Sequence, residues 1–265
     1  MDRVLPADLT HALDDLAATP RLLVVSDFDG TLAPIVSDPS AARALPASAE
    51  ALTALADLPD TDAALVSGRA LGVLRELSAM PAAVHLVGSH GAEFDTGGRE
   101  RSDSGNVTGF SHDVDEQQLA RIVAELREIA ADRPGVTVET KPASVALHVR
   151  NASAADGEAA LAAAKEAATA WDAQATAGKA VLEFAVISTD KGEAVDILRE
   201  QTGATAVIFL GDDVTDEKAF RRMRDGDVGV KVGPGESLAV YRVDAPEDVA
   251  EALGYLLAAR RRHLG

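Results

Sequence analysis

Two aspartates separated by one residue, Asp27 and Asp29, follow the short apolar run Leu22-Leu23-Val24-Val25-Ser26 and are followed at once by Gly30. A run of that length suits a buried parallel strand, and the carboxyl ends of such strands are where open α/β sheets bind ligands. Side chains alternate along a strand, so both carboxylates reach one site only if a turn starts at Asp27, and Gly30 supplies it. On this motif alone, chemistry and a simple turn are equally good readings. A calcium EF-hand loop would need further oxygen ligands and a late Glu that the sequence lacks.

Three further clusters sit at comparable places. Ser67-Gly68-Arg69 follows the apolar run Ala63 to Val66, where a hydroxyl and backbone N–H groups at a helix start can hold a phosphate oxygen; a helix cap followed by a turn glycine reads as well. Thr189-Asp190-Lys191-Gly192 places a lysine at a helix opening, where the helix dipole disfavours a cation without an anionic partner. Gly211-Asp212-Asp213-Val214-Thr215-Asp216 sets three acids after the strand Ala206 to Leu210, more than a helix cap needs.

The elements that must position these groups alternate. Leu22 to Ser26, Ala63 to Val66, Val84 to Val87, Ala206 to Leu210 and Asp227 to Val232 read as strands. Helices are expected within the first 20 residues, over Ser48 to Leu58, from Ala70, from Gly192, over Asp216 to Met223 and after Pro246. Beyond Asp95 the Gly/Ser-rich stretch has no apolar period and reads as a connector. The order then becomes helix (Glu116 to Ala131), two strands (Val136 to Thr140, Ser144 to Val149), Ala-rich helix (Ala154 to Ala173) and strand (Ala180 to Ala185). The expected fold is α/β, a doubly wound, mostly parallel Rossmann-like core over 1–97 and 187–265, with a smaller α+β domain inserted over 98–186.

Composition narrows the function classes. A net charge of -18, from 25 Lys+Arg against 43 Asp+Glu, disfavours a grip on nucleic-acid backbone or an anionic membrane. Aromatics make up 3% of the chain, too few for base-stacking surfaces, and the absence of cysteine excludes disulfides and thiolate metal sites. The N-terminus lacks the apolar core of a signal peptide and no stretch approaches membrane-spanning length, so a cytoplasmic protein is expected.

Taken in order, DFDGT, VSGR, DKG and GDDVTD resemble the four motifs of the haloacid dehalogenase-like phosphatases. The resemblance implies that Asp27 attacks phosphorus as a carboxylate nucleophile and that Asp29 acts as general acid and base, which requires a neutral carboxyl at working pH. It further implies Mg²⁺ held by Asp27, the Asp29 main-chain carbonyl and Asp212, a phosphoryl contact from Ser67 and charge neutralisation by Lys191. Asp213 and Asp216 read either as direct ligands or as groups that orient Lys191 or a metal-bound water. The inserted domain would be a mobile cap that closes over the site.

Across nearly the whole chain the sequence is similar to the trehalose-6-phosphate phosphatases, through DFDGTLAPI, VSGR, GSHGAEF, the Glu139…Lys141…His148 spacing and Lys179…Glu183. That resemblance implies hydrolysis of trehalose 6-phosphate to trehalose and phosphate, with Arg69, Glu139, Lys141, His148, Arg150, Lys179 and Glu183 toward the substrate and a trehalose-phosphate synthase as pathway partner. His90, in the Gly88 to Gly91 turn, reads as a structural hinge residue. The chain departs from the family at Val149, where Tyr is usual, and at Phe184-Ala185, where Arg-Pro is usual. Phosphatases of other sugar phosphates (sucrose phosphate, mannosylglycerate phosphate), a phosphomutase, or a non-catalytic sugar-phosphate sensor are the competing readings.

Overall fold

The computed structural model describes residues 4–96, 116–141, 143–171, 173–178, 180–186 and 189–265. It divides into two compact units, Met1–Phe110 with Thr189–Gly265, and Ser111–Ser188. The junctions expected at 97/98 and 186/187 involve residues outside the described set.

In the first unit the chain runs α1 (Ala7–Ala17), β1 (Leu22–Ser26), α2 (Pro46–Ala56), β2 (Thr61–Val66), α3 (Leu71–Ser78), β3 (Val84–Gly88) and β4 (Glu93–Asp95). In the second unit it forms α4 (Glu116–Ala131), β5 (Thr137–Thr140), β6 (Ser144–His148), α5 (Ala154–Ala167), β7 (Gln174–Gly178) and β8 (Val181–Ala185). It returns to the first unit as α6 (Lys191–Thr202), β9 (Ala206–Gly211), α7 (Glu217–Arg221), β10 (Val228–Val232), β11 (Tyr241–Val243) and α8 (Pro246–Leu264).

The first unit's sheet has the order β11-β10-β9-β1-β2-β3-β4, parallel throughout except that β4 runs antiparallel to β3. β1 lies between β2 and β9, so the strand order reverses at its carboxyl end, which opens a crevice there. The register Ser26↔Leu210 and Ser26↔Leu65 ends the three strands within one residue of one another, so Asp27, Ser67 and Asp212 emerge at the same edge.

Both faces of the sheet are covered, which is why its strands are apolar on consecutive positions. Leu22, Val24, Leu65 and Ile208 pack toward Leu13, Leu52 and Leu253 of the α1, α2 and α8 layer; Leu23, Val25, Val66 and Phe209 pack toward Val195, Leu198 and Phe220. At the opposite end from the crevice, the fully buried Arg260 of α8 donates to the carbonyls of Ala17, Thr19, Pro20 and Asp60 and to Thr61 Oγ1. One guanidinium thereby ties together the entries of β1 and β2, satisfying carbonyls that water does not reach.

The second unit is an antiparallel sheet, β5-β6-β8-β7, backed by α4 and α5. Trp171 and Phe184 meet edge to face in its core, with ring centroids 4.9 Å apart. No helix among the described residues is long and apolar enough to cross a membrane.

Candidate active site

At the crevice the chain leaves β1 through Asp27, whose N–H donates to Leu210 O at 2.8 Å. The following turn closes with Gly30 N–H to Ala33 O at 2.7 Å and Ala33 N–H to Phe28 O at 2.8 Å. Gly30 has φ +81°, and a Cβ there would lie 2.1 Å from an Asp212 carboxylate oxygen, so only glycine allows the two aspartate loops to approach. Gly211 is equally confined: a Cβ on it would stand 2.4 Å from the Asp216 carboxyl carbon.

Lys191 is the first residue of α6, capped by Asp190, whose carboxylate accepts from Glu193 N–H at 2.9 Å. Its side chain is 3% exposed, and its ammonium lies 2.9 Å from Asp27 Oδ1 and 2.7 Å from Asp216 Oδ1. A cation at a helix start is thus offset by two anions. Burial alone would lower the lysine's affinity for its proton, but Asp27 and Asp216 outweigh burial and raise it, so the ammonium stays charged.

The acids respond in the other direction. Burial pushes the Asp27 carboxyl up to about 8, against the pull of Lys191 and with Asp216 adding to the rise. Burial also raises Asp212, again with Asp216 contributing. Oxygens of Asp27, Asp212 and Asp216 lie within 4.8 Å of one another, the only such acidic group among the described residues. With all three carboxylates ionised, one ammonium would leave two negative charges, which a divalent cation would balance. The donor set is all oxygen and fits a hard cation.

The structure separates the sequence-predicted residues. Asp216, 0% exposed, accepts from Lys191 Nζ at 2.7 Å and from Asp213 N–H at 2.9 Å, while also belonging to the acidic group. Asp213 is exposed and accepts from Val214 N–H. The Asp29 carboxylate stands apart from the acidic group, in a bidentate pair with Arg69: Nε to Oδ2 at 2.6 Å and Nη2 to Oδ1 at 2.7 Å. Both its oxygens are engaged by the guanidinium. Ser67, 1% exposed, accepts from Arg69 N–H at 3.2 Å. Thr31, assigned no role from sequence, donates to Asp212 Oδ1 at 3.3 Å; a hydroxyl just after the Gly30 turn was the available signal.

In the second unit, period two puts Glu139, Lys141, Ser144, His148 and Glu183 on one face, opposite Val145, Leu147, Leu182 and Phe184, which pack on the helices. Lys141 Nζ and Ser144 Oγ both donate to Glu183 Oε1, at 2.8 and 2.7 Å, and His148 Nε2 meets Glu139 Oε2 at 2.8 Å. Ala146, paired with both Glu139 and Glu183, leaves the middle of this face without bulk. Ser144 was not anticipated, although counting back by twos from His148 reaches it. Arg150 lies past the end of β6 in an exposed turn, where strand alternation no longer sets its direction. Lys179 lies outside the described residues.

The fold is that of the haloacid dehalogenase-like hydrolases. A solved member from Bacteroides thetaiotaomicron, 16% identical, superimposes with a TM-score of 0.66 over 88% of this chain and 98% of that one. The chain belongs to the trehalose-phosphatase family, whose model matches residues 25–247. A trehalose-phosphate phosphatase from Mycobacterium avium is 36% identical over 263 residues, 92% of this chain and 63% of that protein. The solved C-terminal domain of the trehalose-6-phosphate phosphatase of C. albicans, 25% identical, has a TM-score of 0.72 over 96% of this chain and 99% of that one. The chain spans less than two thirds of the length of the curated relatives it matches.

Proposed function

We propose that the chain hydrolyses trehalose 6-phosphate to trehalose and inorganic phosphate through an aspartyl-phosphate on Asp27, with Mg²⁺ as cofactor. The observation that carries the reading is the buried Lys191 bound to Asp27 beside an acidic group at the strand crossover. Asp27 attacks phosphorus as the bond to the sugar oxygen breaks, and Asp29 supplies the proton that the leaving alkoxide takes. Water then attacks the phosphoaspartate, gives its proton to Asp29, and phosphate departs with Asp27 restored. Lys191 and the Ser67 hydroxyl hold phosphoryl oxygens, the electrostatic part of phosphoryl transfer.

Asp27 and Asp212, with the Asp29 main-chain oxygen, would hold the metal, which when bound offsets the charge of the phosphoryl group and of the buried carboxylates. Asp29 must leave Arg69 and take up a proton from solvent before it can deliver one, so that ion pair belongs to the resting arrangement. The proposal includes a trehalose-phosphate synthase as the supplier of substrate and a cytoplasmic setting.

Metal removal tests the acidic group by way of pH. With no metal, Asp27 moves from its ordinary 3.8 to about 8, so the folded chain holds a proton that the unfolded chain releases. Its contribution to stability is present below the lower value and lost as pH rises through the upper one. The melting temperature of metal-free protein is expected to fall across that window, and magnesium to raise it more at the alkaline end than at the acid end. An equal magnesium effect at both ends would contradict the assignment.

The polar face of the second unit is assigned to the sugar, because hydroxyls need donors and acceptors together and Lys141, Ser144, His148, Glu139 and Glu183 supply both. Glu183→Gln should cost about 10- to 100-fold in kcat/KM on the sugar ester, the worth of one charged hydrogen bond, and spare a generic aryl phosphate. Equal losses on both substrates would place Glu183 in the folding of the sheet instead.

The activity is checked by phosphate release, with magnesium, from trehalose 6-phosphate, sucrose 6-phosphate, glucose 6-phosphate and an aryl phosphate. Preference for the trehalose ester supports the reading; preference for another sugar keeps the chemistry and changes the substrate. No turnover favours a sensor.

A further inference from the structure

The turn between β3 and β4 is backbone-strained in a way the proposed chemistry does not use directly. Ser89 and His90 are consecutive non-glycine residues in the left-handed region, with φ 48° and 56°, followed by Gly91 at φ 110°. Such conformations persist only where their surroundings hold them, and they concentrate at functional sites. Here the surroundings are the loop that carries Ser67 and Arg69. His90 N–H donates to Ser67 O at 2.9 Å, and Ser89 N–H to Arg69 O at 2.7 Å.

The approach leaves no room for side chains. A Cβ on Gly68 would lie 2.4 Å from the His90 ring, and one on Gly88 would lie 2.5 Å from Leu71 N. On its other side the turn meets the helix that presents Lys191: a Cβ on Gly91 would be 3.0 Å from Asp190 O. One carboxylate oxygen locks the arrangement. Glu93 Oε2, on β4, accepts from Ser89 Oγ at 2.6 Å and from Leu71 N–H, at the start of α3, at 3.1 Å. Ala70, the residue before that helix, offers no side-chain cap of its own, so Glu93 caps α3 from another strand.

We propose that Glu93 is a positioning residue for phosphate transfer: by joining Ser89 to the start of α3, it presses the strained turn onto the Ser67–Arg69 loop and sets where Ser67 meets the phosphoryl group. This rests on the reading of Ser67 as a phosphoryl contact, and the test separates the two.

Wild type, Ser67→Ala, Glu93→Ala, Glu93→Gln and Ser89→Ala are compared for kcat, KM, inhibition by inorganic phosphate and melting temperature. Displacing a reacting group's partner by a fraction of an ångström to 1 Å costs up to ~100-fold, so Glu93→Ala should lower kcat by about 10- to 100-fold. It should also weaken phosphate inhibition as Ser67→Ala does. Glu93→Gln should return close to wild type, because one amide oxygen can accept both hydrogen bonds.

If Glu93→Ala lowers the melting temperature but leaves kcat and phosphate inhibition at wild-type values while Ser67→Ala changes them, Glu93 is structural only and the proposal is overturned. If Ser67→Ala leaves phosphate inhibition unchanged, the reading beneath it fails. Should Glu93→Ala not fold, Ser89→Ala decides: a lowered kcat alongside a near-normal Glu93→Gln supports the proposal, and a wild-type kcat overturns it.

Discussion

Asp27→Asn is expected to reduce phosphate release from trehalose 6-phosphate by at least about 10⁴-fold, because it removes the group that forms the covalent intermediate. The substitution keeps the shape and removes the charge. It leaves the Lys191 ammonium with Asp216 as its one carboxylate partner, at 2.7 Å, so the fold should persist while the reaction stops. The burial that pushes Asp27 up to about 8 predicts that the neutral amide is tolerated, since the cost at this position falls on the charged form. A melting temperature at or above that of the metal-free wild type, with turnover lost, is the expected pair of results. Turnover within about tenfold of wild type would remove Asp27 from the mechanism.

Asp29→Asn is expected to cost about 10²- to 10⁴-fold, the range of a positioned acid and base. The substrate dependence is the sharper part. A sugar alkoxide needs a proton to leave, whereas a phenolate leaves without one, so phosphoryl transfer from an aryl phosphate should survive the substitution. Release of phosphate from the intermediate still needs a base. With an aryl phosphate, the variant should therefore give a burst of phenol equal to the enzyme present, followed by slow turnover. A loss of equal size in the burst and in the steady rate would show that Asp29 acts by holding Arg69, its partner at 2.6 and 2.7 Å, and not by moving protons.

The core strands and the order of the motifs were legible because burial on both faces gives apolar runs such as Leu22 to Val25 and Val207 to Leu210. The strands that were not foreseen carry weak signals. β7 is Gln-Ala-Thr-Ala-Gly, poor in β-branched residues, while β4 and β11 have three residues each, too short for a period to show. The Ala-rich helix was expected to run to Ala173 but α5 ends at Ala167, followed by a 3-10 turn over Ala168–Ala170 and the buried Trp171. Alanine favours the helix everywhere, so tertiary packing of Trp171, not propensity, sets where it stops.

In the site, residue types and spacing suggested a chemistry but not which side chains partner one another. Asp213 and Asp216 were equivalent by spacing, and only the loop's path buries one against Lys191 and exposes the other. The Arg69–Asp29 pair spans forty residues of sequence and depends on β1 and β2 lying side by side in register. The Glu93 carboxylate joins Ser89 Oγ to the Leu71 N–H at the start of α3, a relation between a strand, a turn and a helix start that residue identity does not encode.

The most direct test is to mix enzyme, magnesium and trehalose 6-phosphate, quench in acid within the first turnovers, and map the phosphorylated peptide by mass spectrometry. The account predicts phosphate on Asp27, absent from Asp27→Asn. Turnover of the ester with no phosphate on Asp27, or with phosphate on another residue, would contradict it.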